Sequence, residues 1–222
     1  MKRWLVIVGC AMTLALAASR FAPFVSAASY VEVTVKDDGG KPISDAIVAL
    51  TPAGGATSTP RPASAIMDQQ FRMFVPYVLA VPVGTPVTFP NRDNIRHHVY
   101  SFSAAKRFEL PLYMGTPAAP VLFDKPGVVV LGCNIHDWMV AYIYVLATPH
   151  FAKTADKGVV RLTEVPPGAY EASVWHPRLR SDAVGKPITV PESDPLKVEF
   201  VLALKPDRRT FPPPSHYERT QS

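Results

Sequence analysis

From residue 28 onward, the apolar residues of this chain show no sustained helical spacing. They come instead in short runs that Gly and Pro separate. The run at 30–36 (YVEVTVK) places Val31, Val33 and Val35 on one face, which is typical of a half-buried strand. Pro makes up 24 of the 222 residues, and Pro interrupts helices because it lacks a backbone donor. The pattern therefore predicts an all-β fold.

The first 27 residues have the pattern of a signal peptide. Lys2 and Arg3 precede an apolar run over 4–18, and small residues at 25–28 suit cleavage after Ala27 or Ala28. The apolar run is shorter than the roughly 20 residues that a membrane-spanning helix needs. We therefore expect an exported, periplasmic protein with no transmembrane span in the mature chain. The segment 7–10 (IVGC) resembles a lipoprotein cleavage box, so lipidation at Cys10 is an alternative.

Charge and cysteine content narrow the function classes. Residues 1–27 hold three basic residues and no acidic one, so 20 basic and 18 acidic residues remain after cleavage, and this weak balance gives no case for a nucleic-acid partner. Cys10 and Cys133 are the two cysteines, so the mature chain keeps one thiol and cannot form an internal disulfide. Such a thiol is either buried and inert or occupied, for example by a metal.

The sequence divides the mature chain into several parts. Further strand-like runs are predicted at 46–51, 74–83, 87–89, 97–102, 128–131, 140–146, 159–162, 170–175, 188–190 and 198–204. Residues 52–64 (PAGGATSTPRPAS) have the composition of a linker. Residues 206–222 carry too little apolar material to pack and are predicted to be a flexible tail.

The segment 132–139 (GCNIHDWM) carries the chemistry. It places the thiol of Cys133, the imidazole of His136 and the thioether of Met139 within seven residues, in a loop between two apolar strands. Two rigid strands can direct all three groups at one point. Soft sulfur ligands with imidazole suit copper, which cycles between Cu(I) and Cu(II), whereas this set is poor for zinc.

A copper site of this kind needs a second imidazole. The candidates are His97 and His98, which follow the polar segment 91–96 (NRDNIR). Neighbouring residues of a strand point to opposite faces, so only one of the two can face inward. The residues alone leave both candidates open.

The Cys-x-x-His-x-x-Met loop closes a strand pair, and it follows a Val-Gly-x-x-Val-x-Phe strand (83–89) and an Asn…His-x-Val segment. This order of motifs resembles that of the cupredoxins, and the loop spacing is that of amicyanin. The chain also resembles cupredoxin-containing proteins labelled methylamine-utilisation proteins. The resemblance covers residues 65 to about 180. It implies a Greek-key β-sandwich with one copper ion on His97, Cys133, His136 and Met139. His98 stands where the family usually has Asn, and is a supporting residue or an alternative ligand.

The flanking segments resemble a second family. They contain two opening strands with a Gly turn, an Asp-x-Gly turn at 156–158 and a Pro-Pro-Gly-x-Tyr motif at 166–170. This pattern is similar to that of the carboxypeptidase regulatory-like (transthyretin-like) sandwich. That family joins the two halves directly. The resemblance implies that 28–52 and 149–205 form one split sandwich, with a cupredoxin domain over 65–148 inserted in it or joined to it.

The cupredoxin resemblance implies an electron carrier that passes single electrons to and from a redox protein such as a c-type cytochrome or a dehydrogenase. Copper storage or delivery, and a surface-binding module with a structural copper site, are the alternatives. A carrier is favoured because a copper-handling site tends to be open and rich in Met or His, whereas this chain has one compact set of four ligands. The sequence contains no GxSxG, HExxH or phosphate-binding loop, so we do not expect an enzyme.

Overall fold

The computed structural model describes residues 30–55, 63–180 and 182–207. The predicted signal peptide 1–27, Cys10, part of the linker (56–62) and most of the predicted tail (208–222) lie outside the described residues. The described chain is all-β, which confirms the predicted fold class. Its strands are β1 (Val31–Asp37), β2 (Ile47–Pro52), β3 (Ala65–Ile66), β4 (Asp68–Gln70), β5 (Met73–Val75), β6 (Val78–Pro82), β7 (Thr85–Thr88), β8 (His97–Ser103), β9 (Lys106–Tyr113), β10 (Val121–Phe123), β11 (Gly127–Leu131), β12 (Ala141–Leu146), β13 (His150–Lys153), β14 (Val159–Leu162), β15 (Gly168–Trp175), β16 (Val184–Val190) and β17 (Leu196–Leu202).

No helix in these described ranges is long and apolar enough to span a membrane.

Strands from both ends of the described chain form one pair of sheets, which we call the outer sandwich. One sheet has the order β14-β1-β17 and the other the order β13-β2-β15-β16. The alternation along β1 buries Val31, Val33 and Val35 completely, as the sequence predicts, because these side chains face the opposite sheet. Strand β1 pairs in parallel with β17, so the outer sandwich joins segments more than 150 residues apart.

Strands β3 to β12 form the inner sandwich, which positions the predicted site. Its sheets have the orders β10-β7-β3 and β11-β12-β6, and the hairpins β4-β5 and β8-β9 complete it. Backbone bonds between Tyr100 and Gly132 attach β8 to the end of β11. The core between the layers contains the buried side chains of Phe89, Phe123 and Leu131, together with Cys133 and Met139.

An apolar contact joins the two sandwiches. Ile47 and Ala49 of the outer sandwich share a buried cluster with Val78 and Leu146 of the inner one. Around this cluster, the ring of Trp175 contacts two tyrosines of β12, with centroids 5.9 Å from Tyr142 and 5.1 Å from Tyr144. The two sandwiches therefore bury one shared face.

Several strands differ from the sequence prediction. The run predicted as one strand over 74–83 is two strands, β5 and β6, because Pro76 has no N–H to continue the ladder. The sequence did not predict strands β3, β4, β9, β10 and β13. Pro111 and alternating charged residues obscure β9, and β13 is only four residues long.

Candidate metal centre

The position of Cys133 is set by the glycine before it. A Cβ atom on Gly132 would lie 2.7 Å from Cζ and 2.8 Å from Oη of Tyr100, so a larger residue at 132 would have to displace this ring. The backbones of Gly132 and Tyr100 also exchange two hydrogen bonds of 3.0 and 3.1 Å. The chain therefore leaves β11 in a fixed direction, and the Cys133 side chain enters the core, where the residue is 5% exposed.

His97 faces the thiol from the first position of β8. It is fully buried, and its Nδ1 lies 3.9 Å from Sγ of Cys133. Its other ring nitrogen, Nε2, lies 2.7 Å from a carboxylate oxygen of Asp93. A carboxylate only accepts, so Nε2 carries the proton and donates. Nδ1 is the ring atom left to bind a metal, and its orientation is fixed by the carboxylate.

His136 approaches from the loop between β11 and β12. Its Nδ1 lies 4.0 Å from Sγ of Cys133, and its ring centroid is 5.1 Å from that of His97. One ligand atom from each of His97, Cys133 and His136 lies within 4.8 Å of the others. Unlike His97, His136 is partly exposed, so this loop brings one ring of the group to the surface.

Met139 ends the same loop. Its N–H donates to the carbonyl oxygen of His136 at 2.9 Å, which closes a turn. The side chain is fully buried and belongs to the same core cluster as Cys133. The structure thus places the fourth predicted ligand in the buried core cluster that also contains Cys133.

His98 points away from this group. Its Nδ1 lies 3.2 Å from the side-chain nitrogen of Asn134, and its Nε2 lies 2.9 Å from a carboxylate oxygen of Glu109. The ring also meets Tyr100 edge to face. These contacts lie on the opposite side of β8 from Cys133, which is the alternation expected of neighbouring strand residues.

Asp93 was not predicted from the sequence, yet it organises the site. Its two carboxylate oxygens accept the N–H groups of Phe71 and Arg72, at 2.8 and 2.9 Å, as well as the ring N–H of His97. Phe71 and Arg72 both have positive φ, at 57° and 58°, and form the turn of the β4-β5 hairpin. Asp93 therefore joins this turn to His97. Its one sequence signal is its place four residues before His97, in a polar segment where any of several residues could serve.

Trp138 links the same turn to the loop. Its Nε1 donates to the carbonyl oxygen of Arg72 at 3.1 Å, and its ring centroid is 5.1 Å from that of His136. The side chain is partly buried against the inner core. It also lines a cavity of about 730 Å³ between the two sandwiches, together with Tyr77 and Tyr142.

The surroundings of Cys133, His136 and His97 shift the pKa values of all three side chains. Burial raises the pKa of the Cys133 thiol, but hydrogen bonds from His97 and from two backbone N–H groups outweigh burial, so the pKa lies below its ordinary value. Burial, followed by the positive charges of His97 and Arg72, lowers the pKa of His136. Burial also lowers the pKa of His97, but Cys133 and Asp93 outweigh it and the net direction is upward. The site therefore favours a thiolate and a neutral His136, while a metal has to displace a proton at His97.

This donor set fits copper. A thiolate and two imidazoles, close together on rigid strands with a buried thioether nearby, are the ligands that copper electron-transfer sites use. Zinc prefers more thiolates, or carboxylates, in place of a thioether. Among the described residues, this is the one group of three or more Cys, His or acidic side chains arranged to hold a metal ion.

No protein-family model matches the chain, and no curated protein matches it. Among solved structures, the chain is similar to a copper-containing nitrite reductase from Thermus scotoductus SA-01, with 27% identity over 43% of this chain and 25% of that chain, and a TM-score of 0.36. It is similar to a purple cupredoxin from Nitrosopumilus maritimus, with 25% identity over 38% of this chain and 100% of that chain (TM-score 0.33). It is also similar to a reduced amicyanin variant, with 20% identity over 46% and 99% of the two chains (TM-score 0.34). The chain thus spans a quarter of the nitrite reductase, and each similarity covers less than half of this chain.

Proposed function

We propose that this protein is an exported blue copper protein of the cupredoxin type, which carries single electrons. The observation that supports the proposal best is the convergence, within 4.8 Å, of ligand atoms from His97 on β8 and from Cys133 and His136 in the loop between β11 and β12, with Met139 in the same core cluster as Cys133. In this proposal those four residues hold one copper ion, which supplies one-electron chemistry when bound. His97 serves as the upstream ligand, and His98 supports the loop through Asn134.

The protein's part in electron transfer is to keep the ligands still. His97 is held by Asp93, Cys133 follows the Gly132–Tyr100 contact, and the loop turn between His136 and Met139 is closed by a backbone hydrogen bond. Groups fixed in this way cannot rearrange far when the charge of the centre changes, so the cost of each electron transfer stays small. A storage or delivery site, in contrast, has to open in order to release its metal.

His136 is the proposed point of exchange at the end of the inner sandwich. It is the partly exposed member of the ligand group, and Trp138 lies against its ring. The proposed partner is a redox protein such as a c-type cytochrome or a dehydrogenase. The proposed location is the periplasm, which follows from the signal pattern in residues 1–27.

The visible spectrum of the copper-loaded protein tests the proposal. A Cys133 thiolate bound to Cu(II) gives strong visible absorption, and Cys133→Ser should abolish it. His97→Ala should also lose it, whereas the matched variant His98→Ala should keep it, because His98 faces Asn134 and Glu109. Colour that persists in Cys133→Ser, or is lost only in His98→Ala, would contradict the site. Voltammetry then separates a carrier, which cycles reversibly by one electron, from a storage or structural site, which does not.

A further inference from the structure

The cavity beside Trp138 lies where the two sandwiches meet, and the candidate metal centre makes no use of it. Its volume of about 730 Å³ falls within the range of about 300–1,000 Å³ that is typical of sites for small organic molecules. Residues of the inner sandwich form one wall, and residues 177–178 and 205–207 form the other, outer wall. The cavity therefore has room for a ligand with fused rings, and both sandwiches are needed to enclose it.

The inner wall is aromatic and apolar. The rings of Tyr77 and Tyr142 meet edge to face, with centroids 5.5 Å apart and an interplanar angle of 85°, and Trp138 is fixed by the hydrogen bond from its Nε1. Val75 and Val140 line the same wall and are 41% and 37% exposed, so apolar surface is left uncovered here. Ring faces and apolar side chains of this kind favour a planar aromatic ligand, which can stack on them.

The outer wall is positively charged. Arg178 donates from Nε to the carbonyl oxygen of Lys205 at 2.8 Å, and its Nη1 lies 3.4 Å from a carboxylate oxygen of Asp207. Among the residues that the structure describes, no acidic side chain lies within 4.0 Å of the Lys205 ammonium group. Two basic side chains against one acidic side chain leave this wall with one positive charge, which an anionic group on a ligand would complement.

Asp137 is the acidic residue of the inner wall, next to Trp138. It is exposed to solvent, and the positive charge of Arg72, which acts on the neighbouring His136, offsets part of its field. An anion in the cavity is therefore repelled from the inner wall and attracted to Lys205 on the outer one. Opposite charges on the two walls thus orient an anionic ligand with its rings on the aromatic side.

We infer that this cavity binds a planar aromatic carboxylate, with its rings against Trp138 and Tyr142 and its carboxylate accepting hydrogen bonds from the Lys205 ammonium group. The site uses none of the candidate metal ligands, so the inference does not depend on the proposed electron-carrier function. A ring bound on Trp138 would lie next to an indole whose centroid is 5.1 Å from that of His136. Ligand occupancy would therefore be felt one ring away from the candidate metal centre.

Three probes with the same fused rings and different charges test the site in the metal-free full chain. Calorimetry measures the affinity for 2-naphthoate, and NMR should show a shift of the Trp138 indole N–H resonance on binding. The neutral alcohol 2-naphthalenemethanol should bind about tenfold more weakly, because it lacks the charge-assisted hydrogen bond, and the cation 2-naphthylmethylammonium should bind more weakly still. Equal affinity for the carboxylate and the alcohol, or tighter binding of the cation through Asp137, would overturn the inference.

Two variants and a control then locate the ligand. Lys205→Gln should weaken the binding of 2-naphthoate about threefold and leave that of the alcohol unchanged, since Lys205 is an exposed charge. Trp138→Leu should weaken both about fivefold, because stacking on the indole is lost. Lys197→Gln, which removes a charge on the outer sandwich that is 77% exposed, is the matched control and should bind both as the parent does.

Other results would count against the site. Undiminished binding of 2-naphthoate to Lys205→Gln, or the same loss in Lys197→Gln, would show that the carboxylate does not lie at the outer wall. No binding to the parent protein would exclude this ligand class. Binding that appears only after residues 208–222 are removed would identify those residues as the occupant of the cavity, and would overturn the inference as well.

Discussion

Replacing Asp93 tests whether one carboxylate holds the site together. In Asp93→Ala, three donors lose their acceptor: the N–H groups of Phe71 and Arg72 and the ring N–H of His97. A hydrogen bond to a charged group contributes about 1.5–3 kcal/mol, and a buried donor left without a partner costs about 1–3 kcal/mol. Water can replace the acceptor at the exposed Phe71 but has no access to His97, which is fully buried.

We therefore expect Asp93→Ala to lower the free energy of unfolding of the metal-free protein by about 3 kcal/mol. For a chain of this length that corresponds to a fall in Tm of roughly 6–12 °C. Asp124→Ala is the matched control, since it removes a carboxylate whose side chain is 51% exposed and bonded to Lys106. That ion pair is exposed to solvent and should contribute little to the free energy of unfolding.

Urea and thermal unfolding of the two variants give the comparison. Asp93→Asn separates charge from hydrogen bonding, because its amide oxygen can accept from His97 but its NH₂ group faces another donor. In the copper-loaded protein, both Asp93 variants should raise the reduction potential, since removing negative charge beside His97 disfavours the oxidised state. If Asp93→Ala and Asp124→Ala unfold at the same urea concentration, Asp93 does not organise the site.

Three further changes test other parts of the structure. Gly132→Ala should lower the free energy of unfolding in urea by about 1–3 kcal/mol, because the added Cβ overlaps the Tyr100 ring. Adding Tyr100→Leu to the same chain should recover part of this loss. Equal stability of Gly132→Ala and the parent protein would disprove the overlap. Trp138→Ala should slow electron exchange with the physiological partner and leave the copper spectrum nearly unchanged, so a collapsed spectrum or unaltered kinetics would count against its role beside His136. Burial raises the pKa of Tyr113 from 10.0 to about 12, so the neutral phenol contributes stability that is complete below pH 10 and is lost as the pH rises toward 12. After allowance for partial exposure, the free energy of unfolding should fall by about 1 kcal/mol between pH 9 and pH 12 on account of this residue. Tyr113→Phe should reduce the loss by that amount, while Tyr144 and Tyr170, whose pKa values burial also raises, keep their share.

Much of the site's layout can be predicted from the sequence because it is local. Cys133, His136 and Met139 lie in one loop, so any tight turn between β11 and β12 brings them together. The opposite orientation of His97 and His98 follows from the alternation of a strand, although which of them faces Cys133 depends on the register of β8 against β9 and β11, and the residues alone left both open.

The parts that sequence reasoning missed depend on contacts between distant segments. Asp93 acquires its role only because the β4-β5 turn folds against it, and residues 68–73 (DQQFRM) have too few apolar positions to indicate a hairpin. The need for glycine at 132 arises from a tyrosine 32 positions earlier. Strand β1 pairs with β17, whereas the division into a split outer domain and an inserted domain stays a prediction, as does the family of the outer sandwich.

The parallel pairing of β1 with β17 has a consequence for the order in which the chain assembles. When β1 and β2 leave the ribosome or a translocation channel, β15 and β17, which cover them, have yet to be made. The strands of residues 65–146 are complete well before that point, and their pairs are closer in sequence. Once the strands of residues 65–146 have folded, they would hold the end of β2 near the start of β13. The chain between β1 and the last strands is then effectively shorter, so less entropy is lost when these strands pair. We therefore expect the segment with the candidate metal centre to fold first, and the flanking strands to pair against it afterwards. Until synthesis passes residue 202, the apolar faces of β1 and β2 stay exposed to other chains.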